Sequence, residues 1–470
     1  MRSRILLGLA RSSVVPLVAA LVVACGGGGG AGNAKTVTSP SPSAPSWQAP
    51  VDLAATGYAG GATLAGDGKG GAVAAWIRSG TDGGGAPYWE QVAARLRADG
   101  TWETAQALET SYASDGLKDP VLALDDRGKG LIAWLSPVPR ATTTALRTVP
   151  VDLAAATPFG ARSTALALEL KTPSDLRLAV GSDGSALAAW MGLRTDSAVT
   201  DYPTVQASRL GPGAAWGAPT SYHLNMFSHQ GIDSVGSDGK GGFLLEFATG
   251  DDAWRENEAV AFASGTGLTA AVPGWQPLSQ QALPAAHQTA WELDLQGNLE
   301  AWLLYPTAGD GDPQRQAWPR TRSAAGAWTI GDKVGLPLPA QRIALFRGVG
   351  GGWVAGLGSG GLWVAPLTGL TVGAPRTILP AGTTTEVMVG ARDATGRPAL
   401  LWIQRGAGGT SEGIGWSRWD GTGWTAPAIL PGTAGKGIQR LLATAGPAGL
   451  LAAWVEVGDR TLLLRTALWK

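Results

Sequence analysis

Three groups of side chains in this sequence are of types that do chemistry. Asp251, Asp252 and Glu256 surround Arg255, which sets carboxylates beside a guanidinium, the equipment of a glycoside-cleaving site. His223 and His229 stand six residues apart, a separation that matches no familiar metal-ligand spacing. Asp310-Gly311-Asp312 offers two carboxylates in the form of a turn, too few for a calcium loop. Acidic clusters of this kind are more often solvated loop charges than catalysts. The sequence therefore points to no catalytic residue, no metal ligand and no cofactor.

The aromatic residues carry more information. The chain has six tyrosines and three histidines, and all nine fall between apolar runs, in segments that read as loops. Tyr58, Tyr112 and Tyr222 lie with His223, His229 and His287 where one repeat passes to the next. Tyr88, Tyr202 and Tyr305 lie in or at the edge of loops inside repeats, near Trp89 and Trp254. Tyr and Trp give amphipathic contact area at low entropic cost, so they mark binding surfaces. The expected ligand-binding set is Tyr88, Trp89, Tyr112, Tyr202, Tyr222, His223, Trp254 and Arg255. The same distribution also follows if tyrosines merely avoid tight turns and apolar strands. The long segments Ser79 to Trp89, Gly192 to Pro203, Gly250 to Glu258 and Pro306 to Gln316 belong to the earlier repeats, which puts the expected site off-centre.

The elements that must hold these residues are repeats. One element reads turn, short apolar run, aromatic, as in Gly70-Gly71-Ala72-Val73-Ala74-Ala75-Trp76. It returns at Trp134, Trp190, Phe247, Trp302, Leu357, Trp402 and Trp454. The spacing is about that of a four-stranded propeller blade. A second element, aromatic-x-Ala-Pro, follows each copy, clearest at Trp216-Gly217-Ala218-Pro219 and Trp424-Thr425-Ala426-Pro427. Val372 and the segments from Trp102, Phe159, Trp275 and Trp328 are looser members. The remaining copy, Trp47-Gln48-Ala49-Pro50, lies ahead of the first repeat. After Trp454 the chain has room for one more strand, Thr461 to Trp469, so the last blade lacks an outer strand that Trp47 to Leu53 can supply.

The expected fold is all-β: a β-propeller of eight four-stranded blades, closed by an N-terminal outer strand. In the first blade the strands are expected near Ala62 to Gly66, up to Trp76, Val92 to Arg97, and from Trp102. Twelve tryptophans occupy repeat positions and read as core. The 70 glycines and 30 prolines suit many tight turns, and 44% hydrophobic content argues against disorder.

The N-terminus reads as an address. Arg2, Arg4 and Arg11 precede an apolar run from Val14 to Ala24, too short to span a bilayer as a mature helix. It ends in Leu21-Val22-Val23-Ala24-Cys25, which resembles the lipobox of bacterial lipoproteins, and Cys25 is the only cysteine. The resemblance implies cleavage before Cys25, a thioether-linked diacylglycerol on its sulfur and usually an acylated amine; several acyl chains anchor stably where one is marginal. Residue 26 is glycine rather than the aspartate that retains lipoproteins at the inner membrane, so the resemblance implies the outer membrane. The expected divisions are a signal peptide over 1–24, a lipidated Cys25 with a Gly/Ser/Pro tether over 25–45, and a propeller over 46–470.

With 36 basic and 36 acidic side chains the formal charge is zero, which argues against a nucleic-acid partner. Sialidases share the propeller superfold, but their Ser-x-Asp-x-Gly-x-x-Trp box is missing. The blade motif of the barrel-assembly lipoproteins is likewise not evident. Fold alone does not assign function. The sequence is read as a monomeric, lipid-anchored envelope module that binds a glycan or an envelope protein, with an envelope glycosidase or lyase as the alternative.

Overall fold

The computed structural model describes residues 45–470 apart from residues 55–56, 114–115, 139–142, 196–200, 224–230, 240, 251–254, 263–267, 272–287, 294–298, 307–314, 323–327, 331–333, 341, 350, 370, 407–410, 448 and 459–461. Cys25 and the whole N-terminal segment lie outside the described residues, as do His229, Asp251, Asp252, Trp254, Trp275, His287, Asp310 and Asp312. Among the described residues no helix is long and apolar enough to cross a membrane.

The described strands form antiparallel sheets, and eight sheets are seen. Seven are built from consecutive strands. Their innermost strands are Tyr58–Gly66, Val121–Leu124, Lys171–Val180, Gly231–Ser237, Gln288–Leu293, Arg342–Gly348 and Thr384–Arg392. The eighth sheet begins with Gly437–Gly446 and ends by pairing Leu462–Leu468 with Val51–Ala54 from the start of the domain. Each innermost strand touches the next, and Gly437–Gly446 touches Tyr58–Gly66, so the inner strands close on themselves. That closed cycle of sheets is a β-propeller, and the sheets are numbered as blades 1 to 8 in the order of their inner strands.

The first blade shows how the sequence dictates the unit. Tyr58–Gly66 turns through Asp67 to Gly71 into Ala72–Thr81. The Asp67 carboxylate accepts the amides of Lys69 (2.7 Å) and Gly71 (2.9 Å), and Gly68 takes φ +70°, which only a turn residue without a Cβ adopts cheaply. Ala72 to Ile77 is buried throughout, as expected for a sheet covered on both faces. The third strand is Pro87–Leu96.

The outer strand differs from expectation: it is in two pieces. Trp102 makes only a bridge to Leu96, and the ladder resumes at Gln106–Ser111. In the clearer copies an Ala-Pro follows the aromatic, and proline has no amide hydrogen to give to a ladder, but the blade 1 joint, Trp102-Glu103-Thr104-Ala105, breaks in the same place without one. The same joint recurs around the ring. In each case the residue after the first-piece residue donates its amide to the third strand: Glu103 to Arg95, Gly160 to Pro150, Gly217 to Arg209, Gly373 to Pro366 and Thr425 to Arg418, at 2.8 to 2.9 Å. Gln48 donates to Leu468 at 2.7 Å, and Trp47 bridges Trp469. Trp47-Gln48-Ala49-Pro50 is thus held as the other copies are, although its partner strand is more than 400 residues away. Asp52 faces Arg465 in the ladder, and their charges meet at 2.8 Å.

Aromatic wedges fill the gaps between blades. Trp76, Trp134, Trp190, Phe247, Trp402 and Trp454 are fully buried, each worth about 1.5–3 kcal/mol of apolar burial. In blade 6 the sequence reading needs correction, because Leu357 is not the wedge. The wedge face of the second strand carries Gly356, and the indole comes from Trp363 opposite it on the third strand. A Cβ at Gly356 would collide with the Trp363 indole, and a Cβ at Gly415 would collide with Trp402. Blades 6 and 7 therefore use one Trp–Gly cross-strand pair in opposite senses, because only one indole fits between the strands and their neighbour.

Candidate functional site

Of the residues expected to form a binding face, Tyr88, Trp89, Tyr202, Tyr222, His223 and Arg255 lie in strands rather than loops, Tyr112 lies outside a strand, and Trp254 is outside the described residues. Ser79 to Trp89 is a hairpin arm: Ser79 pairs Trp89, Gly80 pairs Tyr88 and Thr81 pairs Pro87. Gly192 to Pro203 likewise continues the ladder to Thr195 opposite Asp201, placing Tyr202 opposite Arg194. Gly250 pairs Arg255, so Arg255 and Glu256 begin a strand, and Pro306 pairs Arg315 beside Tyr305. Threonine and aromatic residues favour strand, and pairing satisfies backbone groups that a loop would leave to water.

Their surroundings separate them further. Trp89 is half-buried against the apolar cluster between blades 1 and 2. Tyr88 is half-buried with its ring over Gly80. Tyr222 and His223 lie in the outer strand of blade 3, Thr220–His223, rather than in a connection. Tyr222 packs on Phe247 with ring centroids 5.4 Å apart, its hydroxyl has no bonded partner among the described residues, and burial raises its pKa strongly. It is a half-buried residue packed against the apolar cluster between blades 3 and 4. Among the expected residues whose side-chain exposure is described, Tyr112 alone is well exposed, at 63%, just after the outer strand of blade 1.

What the fold does bring together is a polar cluster at the mouth of the channel, where the inner strands begin. Arg440 enters from blade 8 and Asp119 from the start of blade 2, and they meet at 3.9 Å. Blade 1 lies between those blades, so the pair spans its inner strand on the inside of the ring. Asp119 is 66% exposed and Arg440 43% at their side chains, which leaves both open to a ligand.

Beneath the pair lies a bulge. Gly60 pairs Ile77 and Thr63 pairs Ala75, so Gly61 and Ala62 together oppose Trp76. Gly61 takes φ +67°, and a Cβ there would stand 2.6 Å from Pro120 Cδ and 2.9 Å from Asp119 Oδ1. The absence of a side chain lets the Asp119 carboxylate sit against the strand. Tyr58 Oη accepts the amide of Ala62 at 3.3 Å, leaving the phenolic hydrogen for another acceptor. Burial raises the Tyr58 pKa; the Ala62 bond and Arg440 oppose this, and Asp119 adds to it. At neutral pH the phenol is a donor, not a base.

Blade 3 repeats the device. Ser174 pairs Met191 and Arg177 pairs Ala189, so Asp175 and Leu176 oppose Trp190. Asp175 takes φ +47°, in the left-handed region that aspartate tolerates better than most residues. Its Oδ2 accepts the amide of Ile232 in blade 4 at 2.8 Å, and its Oδ1 holds Arg177 Nη2 at 2.9 Å. Sequence reasoning missed Asp119, Asp175, Arg177 and Arg440, because each lies in an ordinary strand-start sequence. Only ring closure makes residues 119 and 440 neighbours. Among the described residues no group of three or more His, Cys, Asp or Glu could hold a metal ion.

No protein-family model matches the chain, and no curated protein is similar to it in sequence. Solved structures with a similar trace include the acylaminoacyl peptidase of Pyrococcus horikoshii, 11% identical with a TM-score of 0.41 over 83% of this chain and 57% of the peptidase. The polysaccharide lyase Uly1 is 10% identical with a TM-score of 0.43, over 89% of this chain and 90% of the lyase. A Trypanosoma rangeli sialidase is 8% identical with a TM-score of 0.35, over 79% of this chain and 56% of the sialidase. The chain thus spans a little over half the length of the peptidase and of that sialidase. These likenesses assign no activity, and the propeller rests on the strand pairing and inner-strand contacts described above.

Proposed function

We propose that this chain is an envelope binding module, tethered by lipid at Cys25, whose ring presents the channel-mouth cluster to a glycan. The observation that carries the ligand assignment is the Asp119–Arg440 pair over Tyr58, joined from three blades. An exposed carboxylate and guanidinium beside a half-buried phenolic donor match the closely spaced hydroxyls of a sugar. A protein interface of about 800 Å² per partner would instead be built round large exposed anchors. The large exposed apolar residues described are Val51 and Val457 on blade 8, Tyr112 after the outer strand of blade 1 and Val349 on blade 6, and they are single residues rather than a built patch. The raised pKa of Tyr58 favours binding over a reaction that needs a phenolate.

The test is a glycan-array screen of the full chain beside Arg440→Ala, Asp119→Asn and a Tyr88→Ala/Trp89→Ala variant. Binding that survives in the hairpin variant and falls at least tenfold in the other two supports the assignment. Glycan binding untouched by Arg440→Ala, or no glycan binding by the unaltered chain, overturns it. Turnover of a bound glycan would move the module to the enzyme alternative.

A further inference from the structure

On the opposite face of the ring, where the short turns lie, a cleft of about 470 Å³ opens under blade 1 between blades 8 and 2. Four cations line it: Lys69, Arg95, Arg97 and Arg127. One acid does, Asp67, and its carboxylate is occupied by the amides of its own turn.

The other acids stand behind the guanidinium groups and do not line the cleft. Asp125, with 4% of its side chain exposed, holds Arg127 Nη2 at 2.8 Å. Glu103 holds Arg95 Nη2 at 2.6 Å and Arg97 Nε at 3.2 Å. Arg95 also donates to the carbonyls of Leu153 (2.9 Å) and Ala155 (2.6 Å), which locks it in place. Its Nε is buried with no bonded partner. Arg97 and Arg127 remain 59% and 51% exposed, and Lys69 has no ion pair among the described residues. Guanidinium groups positioned from behind, with N–H groups left over at an open cleft, are the arrangement that binds a tetrahedral oxyanion.

We propose that this cleft binds a phosphate group, held by Lys69, Arg97 and Arg127 around Arg95. The phosphate belongs either to a phospholipid headgroup or to a soluble phosphate ester. The place where the chain enters the ring favours the lipid. Ser46 bonds the carbonyl of Lys470 at 2.8 Å, and the Lys470 ammonium bonds the carbonyl of Asp99, in the turn that follows Arg97. The cleft therefore lies on the face from which the chain runs back towards residue 45.

The experiment uses the full chain in neutral detergent micelles, observed by phosphorus NMR. Inorganic phosphate, short-chain phosphatidylglycerol and short-chain phosphatidylcholine are each titrated. The comparison set is the unaltered chain, Lys69→Ala/Arg97→Ala/Arg127→Ala, and Arg440→Ala on the far face. Saturable broadening of phosphatidylglycerol above phosphatidylcholine, weakened on the order of tenfold per cation removed, supports the lipid source. Saturable binding of inorganic phosphate without preference for the lipid, lost in the same variant, supports the soluble source. No saturable binding of any probe, or binding lost only in Arg440→Ala, overturns the cleft. A fall in phosphate binding with glycan binding intact separates this site from the channel mouth.

Discussion

Replacing Trp47 by alanine tests whether the ring is one cooperative unit. Trp47 is 8% exposed and stands edge-on to Trp416 (5.6 Å between centroids) and Trp469 (5.8 Å). Trp416 and Trp469 are themselves 4.5 Å apart, so the substitution empties one corner of a three-indole cluster. Large-to-small aromatic changes of this kind cost about 3–5 kcal/mol, and the two edge-on contacts place this one near 4. Unfolding entropy near 60 °C is about 2.1 cal/mol/K per residue, or about 0.9 kcal/mol/K over the roughly 430 residues from Pro45 to Lys470. The expected fall in melting temperature is then about 4–5 °C by calorimetry. Hydrogen exchange supplies the second readout. The amides of Leu462–Leu468, which depend on Val51–Ala54 for their outer partners, should exchange faster than those of the third strand of blade 7. Trp424→Ala is the control, since Trp424 is as well buried at the same joint but hangs on an intact hairpin. An unchanged melting temperature and unchanged exchange in Trp47→Ala, beside a destabilised Trp424→Ala, would refute closure by the N-terminal strand.

Deleting Trp47 to Leu53 should lower the melting temperature by more than Trp47→Ala, because strand pairing and the Asp52–Arg465 contact go with the indole; a smaller shift would count against the ladder. Gly415→Ala should cost about 1–3 kcal/mol by overpacking Trp402. The exchanged pair Trp402→Gly/Gly415→Trp, which copies blade 6, should recover part of the stability lost in Trp402→Gly alone, read by chemical denaturation, and a double variant no better than Trp402→Gly would show the two senses are not equivalent. Tyr222→Phe removes a buried hydroxyl without a bonded partner, so stability at pH 7 should hold or rise slightly. Since burial raises the folded-state pKa of Tyr222, its neutral form stabilises the fold below about pH 10, the unfolded value, and that contribution fades as pH climbs above it. Tyr222→Phe should therefore flatten the alkaline decline in melting temperature; an identical decline would exclude Tyr222 as its source. Gly61→Ala, which pushes on Asp119 and forces a strained φ, should weaken channel-mouth binding, read as a higher Kd with little change in far-ultraviolet dichroism.

The repeat was legible because each copy obeys two independent demands. A strand buried on both faces must be apolar and small, and a gap between sheets admits one large ring. Ala72 to Trp76 and Ala186 to Trp190 meet both demands, so the pattern survives without close sequence similarity. The exchange in blade 6 was invisible because Gly356 and Trp363 meet the same volume demand from two strands, while the sequence pattern watches one. Hairpin arms such as Ser79–Trp89 read as loops because glycine and polar residues fill them, although pairing continues to Thr81. The channel mouth was the least legible part. Asp119 and Arg440 carry no motif and are 321 residues apart in a sequence that nothing local connects. Tyr58 was noticed for its rarity, but its partners depend on which strands begin beside it.

The two-piece outer strand has a consequence for how such molecules behave when crowded. Every blade turns one edge outward, and an outward edge with free amides and carbonyls is a template on which another chain can add a strand. Here the second pieces run from two residues in Ala428–Ile429, through four in Val51–Ala54 and Thr220–His223, to six in Gln106–Ser111 and Ser163–Leu168. Where Ala-Pro stands at the joint, proline removes an amide and offsets the first piece from the second. A chain approaching from outside finds runs of at most six residues to copy in these pieces. The joint that seats each aromatic also protects a concentrated solution of these rings against growth into fibres, and a variant that straightened it, such as Pro427→Thr with Ala426→Val, should seed aggregation before it loses its fold.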